Sequence, residues 1–152
     1  MKPALVLLLL ALLAACAAPA PERPAAPPPP PVVQTPAQAL AALPGAEPLD
    51  DEAVGIRYPG EILFGSGAVL PLPGGPDLLD PLAELLAAHP GSRWLLRVRA
   101  ATELGDAYDE RLAAERAEIL ARYLTRRGVA AERLEWRIEA GEGAPLEVQP
   151  AP

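Results

Sequence analysis

The 152-residue sequence carries 13 Lys and Arg against 20 Asp and Glu, a formal charge of −7. A surface that acidic repels the nucleic-acid backbone and anionic headgroups, so neither is expected as a partner. The hydrophobic fraction of 51% overstates the core, because much of it is alanine and an early leucine run, and more than half of the 21 prolines fall at or before Pro48. Such a segment has few large apolar side chains to bury. One modest domain of roughly 95 residues remains. The single cysteine excludes an internal disulfide.

Lys2 precedes an apolar run from Ala4 to Ala15. The run is too short for the ~20 residues of a spanning helix and reads as a cleavable export signal over residues 1–15. Its end, Leu13-Ala14-Ala15-Cys16, resembles the lipobox of bacterial lipoproteins. The resemblance implies that the Cys16 thiol takes a diacylglyceryl group before cleavage and that the new N-terminal amine is then acylated. Several chains at about 0.8 kcal/mol per buried CH₂ anchor stably where one is marginal. An ordinary secretory signal with an incidental cysteine is the competing reading, and the placement of the motif at the end of the apolar run favours lipidation. In the resembling family an aspartate after the cysteine tends to retain the protein in the inner membrane. Ala17 stands there instead. The implied address is the outer membrane, with the domain facing the periplasm.

Residues 16–53 read as the lipidated cysteine and a disordered Pro/Ala tether that includes Pro27-Pro28-Pro29-Pro30-Pro31. Polyproline II at ~3.1 Å per residue would carry this segment on the order of 100 Å when fully extended. A proline-rich ligand for a recognition module is the alternative, but a tether accounts for the position directly behind the anchor.

A folded domain is expected over residues 54–148, with residues 149–152 as a tail. Tyr58 to Phe64 contains a short apolar run between Pro59-Gly60 and Gly65-Ser66-Gly67 and suits a first strand entering a turn. Leu78, Leu79, Leu82, Leu85 and Leu86 fall on one face of a helix over Asp77 to His89, ended by His89-Pro90-Gly91. Arg93 to Arg99 alternates as a strand, with Trp94, Leu96 and Val98 on one face. Asp106 is expected to cap a second helix from Ala107 to about Arg127, with Asp109 and Glu110 in its first turn and Gly128 as its stop. Leu134, Trp136, Ile138 and Ala140 alternate with charged residues in a third strand with one wet face. The expected fold class is α/β (α+β): a two-layer βαβαβ sandwich with two helices on one face of a small mixed sheet.

These residues resemble the OmpA-like C-terminal domain that binds peptidoglycan, over about Gly60 to Pro145. Ile62-Leu63-Phe64-Gly65-Ser66-Gly67-Ala68-Val69-Leu70 looks like the family strand ending in F-x-S-G with a leucine before the first helix. Tyr108-Asp109-Glu110-Arg111-Leu112-Ala113-Ala114-Glu115-Arg116-Ala117 resembles Y-N-x-x-L-S-x-x-R-A. Tyr123-Leu124, Gly128-Val129 and Gly141-Glu142-Gly143 fit the helix end, the G-V turn and the closing G-x-G. In the family a G-H-T-D motif precedes the second helix; its aspartate pairs with the amine of diaminopimelate, and the helix arginine takes a carboxylate.

Aligned on Gly105, the ligand motif is degenerate: Arg99-Ala100-Ala101-Thr102 stands in its place, with one residue deleted before Tyr108. Thr102 occupies the position of the aspartate, and a neutral hydroxyl does not make the charge-assisted bond that a carboxylate makes to an ammonium. Glu103 or Asp106 is placed to compensate if this segment is loop. Arg116 is retained. With Leu112, Ile119, Leu120 and Tyr123 at its helical neighbours, it emerges on the apolar face of its own helix. An unpaired guanidinium there costs several kcal/mol, so it requires acceptors. Two readings stand: an internal pair with Glu103 or Asp106, or a ligand carboxylate or phosphate. The candidate peptidoglycan-binding set is Thr102, Glu103, Asp106 and Arg116, with Cys16 for lipidation.

His89, at a helix end, is read as bonding carbonyls rather than a metal. Gly65-Ser66-Gly67 is too tight for G-x-S-x-G and is read as a turn. Glu115 and Glu118 are assigned to a solvated face with Arg111 and Arg122, and Trp94 and Trp136 to the core. No cofactor, metal or catalytic set is expected. The partners expected are outer-membrane lipid through Cys16, the peptidoglycan peptide stem, and other envelope proteins. The function implied is a non-catalytic tether between envelope and cell wall. The alternative is a degenerate OmpA-like domain that has lost peptidoglycan binding and serves as an envelope interaction or assembly subunit.

Overall fold

The computed structural model describes residues 35–49 and 54–152. The export signal, Cys16 and the tether up to residue 34 lie outside the described residues. Five strands form one sheet: β1 (Glu47–Pro48), β2 (Ile56–Tyr58), β3 (Trp94–Ala100), β4 (Leu134–Ala140) and β5 (Leu146–Pro150). Their order across it is β1-β2-β5-β3-β4. β3 and β4 run parallel, and the other neighbours are antiparallel. The helices are α1 (Pro36–Ala41), α2 (Gly75–Ala88) and α3 (Asp106–Arg126).

The core fills the space between α2, α3 and one sheet face. Trp94, Leu96 and Val98 of β3 meet Leu146 and Val148 of β5 and Ile56 and Tyr58 of β2. Leu79, Leu82 and Leu86 of α2 and Leu112, Leu120 and Leu124 of α3 close over them. This is the burial that the alternating strands and the leucine face require. Trp94 is fully buried, and Trp136 packs against the core from the neighbouring strand.

Helix ends are set by local chemistry. At the end of α2, His89 Nδ1 donates to Leu85 O at 2.8 Å. Arg133, in a 3₁₀ turn before β4, donates to Leu86 O at 2.7 Å, to His89 O, and through Nε to Ser92 O at 2.9 Å. These carbonyls have no helical partner of their own. α3 ends in a Schellman motif: Val129 N bonds Leu124 O, Gly128 N bonds Thr125 O, and Gly128 takes φ +91°.

Several expectations are corrected. The strand expected within Tyr58 to Phe64 is instead β2, Ile56–Tyr58. Pro59 follows it with no N–H to donate, the chain turns through Gly60–Ile62, and Phe64 makes only an isolated bridge with Pro71. Asp106 is the first helical residue of α3 and not its cap. The cap is Gly105, whose φ of +94° and ψ of 161° suit glycine alone, so no side chain bonds the helix start from that position.

The expected tether contains α1 and β1. Thr35 and Gln38 form a capping box, and Leu40 inserts into the core at 1% exposure. β5 was not anticipated, although it is the middle strand. It runs through Pro150, two residues into the segment expected as a tail.

Candidate ligand-binding cleft

Arg116 projects from the middle of α3 between Leu112 and Leu120 and is only 5% exposed. Its Nε donates to Ala68 O at 2.8 Å, Nη2 to Gly65 O at 3.0 Å and Nη1 to Arg99 O at 3.2 Å. The guanidinium lies over the Phe64 ring, 4.7 Å from its centroid. One side chain thus ties the turn after Phe64 to the end of β3. No carboxylate touches it among the described residues. Desolvation lowers its pKa, opposed by the negative field of Asp109 and by Tyr108. One N–H on each terminal nitrogen has no protein acceptor among the described residues.

Thr102 makes no hydrogen bond to this group and is committed to Asp109 instead. Its hydroxyl donates to Asp109 Oδ1 at 2.6 Å and its N–H to Oδ2 at 3.0 Å, while Leu104 N donates back to the hydroxyl at 3.1 Å. Asp109 is 3% exposed, so Thr102 serves to satisfy a buried carboxylate. Glu103 and Asp106 are exposed and make no ion pair with Arg116. Of the four candidates, the structure brings only Arg116 to a cleft.

That cleft has a volume of about 320 Å³ and is lined by Phe64, the Gly65-Ser66-Gly67 turn, Ala100, Ala101 and Arg116. Glu61 and Glu142 also border it, from the turn after β2 and the β4–β5 loop. The volume is at the low end for small-molecule sites and suits a group of amino-acid size. Arg99 forms part of the wall, bonded to Glu139 at 3.0 Å and Glu147 at 2.6 Å. Arg97 joins the same two carboxylates, giving a charged lattice across β3, β4 and β5.

Sequence reasoning missed Asp109, Glu61 and Glu142. Asp109 was visible as an acid in the first turn of a helix, seven residues after Thr102. Nothing local marks the two glutamates, which reach the cleft through tertiary folding. The Gly65-Ser66-Gly67 segment is a turn. Glu118 pairs with Arg122 at 3.2 Å, whereas Arg111 lies over the Tyr108 ring rather than against Glu115.

No family model and no curated protein matches the chain. Solved structures match it in fold. A MotB-like protein from Desulfovibrio vulgaris aligns with TM-score 0.54 and 20% identity, covering 70% of this chain and 78% of its own. The OmpA-like domain of a Francisella tularensis protein aligns with TM-score 0.52 and 12% identity over 64% and 70%. A cell wall anchor from Pseudomonas aeruginosa aligns with TM-score 0.51 and 17% identity over 68% and 83%. The mixed five-stranded sheet with its helices is the fold of OmpA-like domains.

Proposed function

We propose that this chain is a lipoprotein of the outer membrane, acylated at Cys16, whose OmpA-like domain holds a peptide stem of peptidoglycan in the Arg116 cleft and so ties the envelope to the cell wall without catalysing a reaction. The observation that carries the reading is Arg116 itself. A desolvated guanidinium beside an open cleft, held by three carbonyls and by no carboxylate, keeps its charge for a carboxylate from outside. The solved neighbours with this fold include a cell wall anchor, which supports the same reading.

A second reading, an envelope interaction subunit without wall binding, is favoured by the commitment of Thr102 to Asp109. Co-sedimentation of the detergent-solubilised full-length protein with purified sacculi separates the two. Pelleting that falls at least about tenfold in Arg116→Lys, with competition by free stem peptide, supports wall binding. No pelleting by the wild type favours the interaction subunit. Lipidation is read independently, from the mass of the N-terminal peptide.

A further inference from the structure

The chain has an arginine for a ligand carboxylate, but the place where the resemblance puts an acid is filled by a threonine whose polar groups serve Asp109. Glu103 and Asp106 lie outside the cleft. Two other carboxylates border it, Glu61 and Glu142, and neither makes a side-chain hydrogen bond or ion pair among the described residues. We infer that Glu61 and Glu142 supply the cation-binding half of this cleft, so that its ligand is a zwitterion presenting a carboxylate to Arg116 and an ammonium to the two glutamates. The inference rests on the stem-peptide reading above and reassigns where the acid comes from.

The charge count of the lining favours a zwitterion over a simple anion. Arg99 is bonded to Glu139 and Glu147, whereas Arg116, Glu61 and Glu142 make no ion pair among the described residues. The lining thus presents one unpaired cation and two unpaired carboxylates. A lone phosphate or carboxylate entering past them meets like charge, whereas a group carrying both signs satisfies each wall.

The backbone that carries Glu142 is also held in place. Its loop is tied to β3 at both ends, by Gly141 N to Ala100 O at 2.8 Å and by Arg99 N to Pro145 O at 3.2 Å. Gly143 takes φ +134°, and a Cβ there would come within 2.8 Å of Arg99 Nη1, so the loop backbone lies directly on a side chain that Glu139 and Glu147 fix.

The test uses full-length protein and two batches of sacculi, one untreated and one with its free amines acetylated. Acetylation is expected to lower wild-type pelleting on the order of tenfold. Glu61→Gln and Glu142→Gln should each weaken binding to untreated sacculi, and the double variant should bind both batches equally poorly at an unchanged melting temperature. Glu103→Gln/Asp106→Asn should bind as the wild type does. The inference is overturned if the double variant pellets like the wild type, if acetylation has no effect, or if the Glu103/Asp106 variant is the one that loses binding. Pelleting lost in Arg116→Lys but kept in the double glutamine variant overturns this inference alone. Absence of wild-type pelleting overturns it together with the wall-binding reading.

Discussion

Thr102 and Asp109 form a closed pair in which hydroxyl and backbone N–H from one residue meet the two carboxylate oxygens of the other, at 2.6 and 3.0 Å. The pair fastens the loop after β3 to the first turn of α3, and it converts a position that resembles a ligand contact into an internal one. Thr102→Val keeps the shape and removes the hydroxyl donor from a buried carboxylate. The expected loss is about 1–3 kcal/mol, measured by urea unfolding, with Thr102→Ser close to the wild type.

Asp80 of α2 receives the Tyr123 hydroxyl and the Arg127 guanidinium from α3 and its end. The bond from Arg127 comes first among the causes that hold the Asp80 pKa below the ordinary value of 3.8, followed by the Tyr123 hydroxyl. A carboxylate with a depressed folded-state pKa contributes stability above its unfolded pKa and loses it as pH falls through the folded one. Melting temperatures from about pH 5 to pH 2 should therefore fall more steeply for the wild type than for Asp80→Asn. Equal slopes would show that the clasp between the helices contributes nothing.

Arg133 supplies donors for Leu86 O in the last turn of α2 and for His89 O and Ser92 O just beyond it. Arg133→Ala leaves Leu86 O and Ser92 O without these donors, while His89 O keeps Ser92 N at 3.1 Å, and is expected to cost about 1–3 kcal/mol. Hydrogen exchange should accelerate around residues 85–92 before it does so in β3, because β3 keeps its partners on both sides.

Under the proposed lipidation, Cys16→Ser removes the thiol that would carry the acyl chains and on which cleavage would depend. The variant is expected to leave the outer-membrane fraction and to keep its signal uncleaved, read from cell fractionation and from the mass of the N-terminal peptide. A variant that is still cleaved and still found with the outer membrane would overturn lipid anchoring at Cys16.

The sequence made the long elements legible because their periods are unambiguous. The leucine face of α2, the charged and apolar faces of α3, and the alternation in β3 and β4 each run over seven residues or more. β2, with three residues, and β5, with five, were missed for the opposite reason. Ile56, Tyr58, Leu146 and Val148 alternate too briefly to stand out beside Pro59 and Pro145. α1 was hidden inside proline-rich composition, where a single large apolar residue, Leu40, carries the packing.

Arg116 was legible because a cation on an apolar helix face demands an explanation. Its partners were not, since carbonyls of Gly65, Ala68 and Arg99 have no side-chain signature. Of the two readings of Arg116, the internal pair with Glu103 or Asp106 is replaced by backbone acceptors, which bury no second charge.

β5 lies between β2 and β3, so the β1–β2 ribbon and the β3–β4 pair share no ladder and meet only through it. It is also the last strand in sequence among the described residues. Folding of this domain has a keystone that arrives late: until residues 146–150 are delivered, two partial sheets wait with open edges, and joining them closes loops of about 90 and 50 residues. A chain that emerges N-terminus first would therefore hold its cleft unassembled until its last strand is free and complete the wall beside Arg99 and Glu142 in the final step.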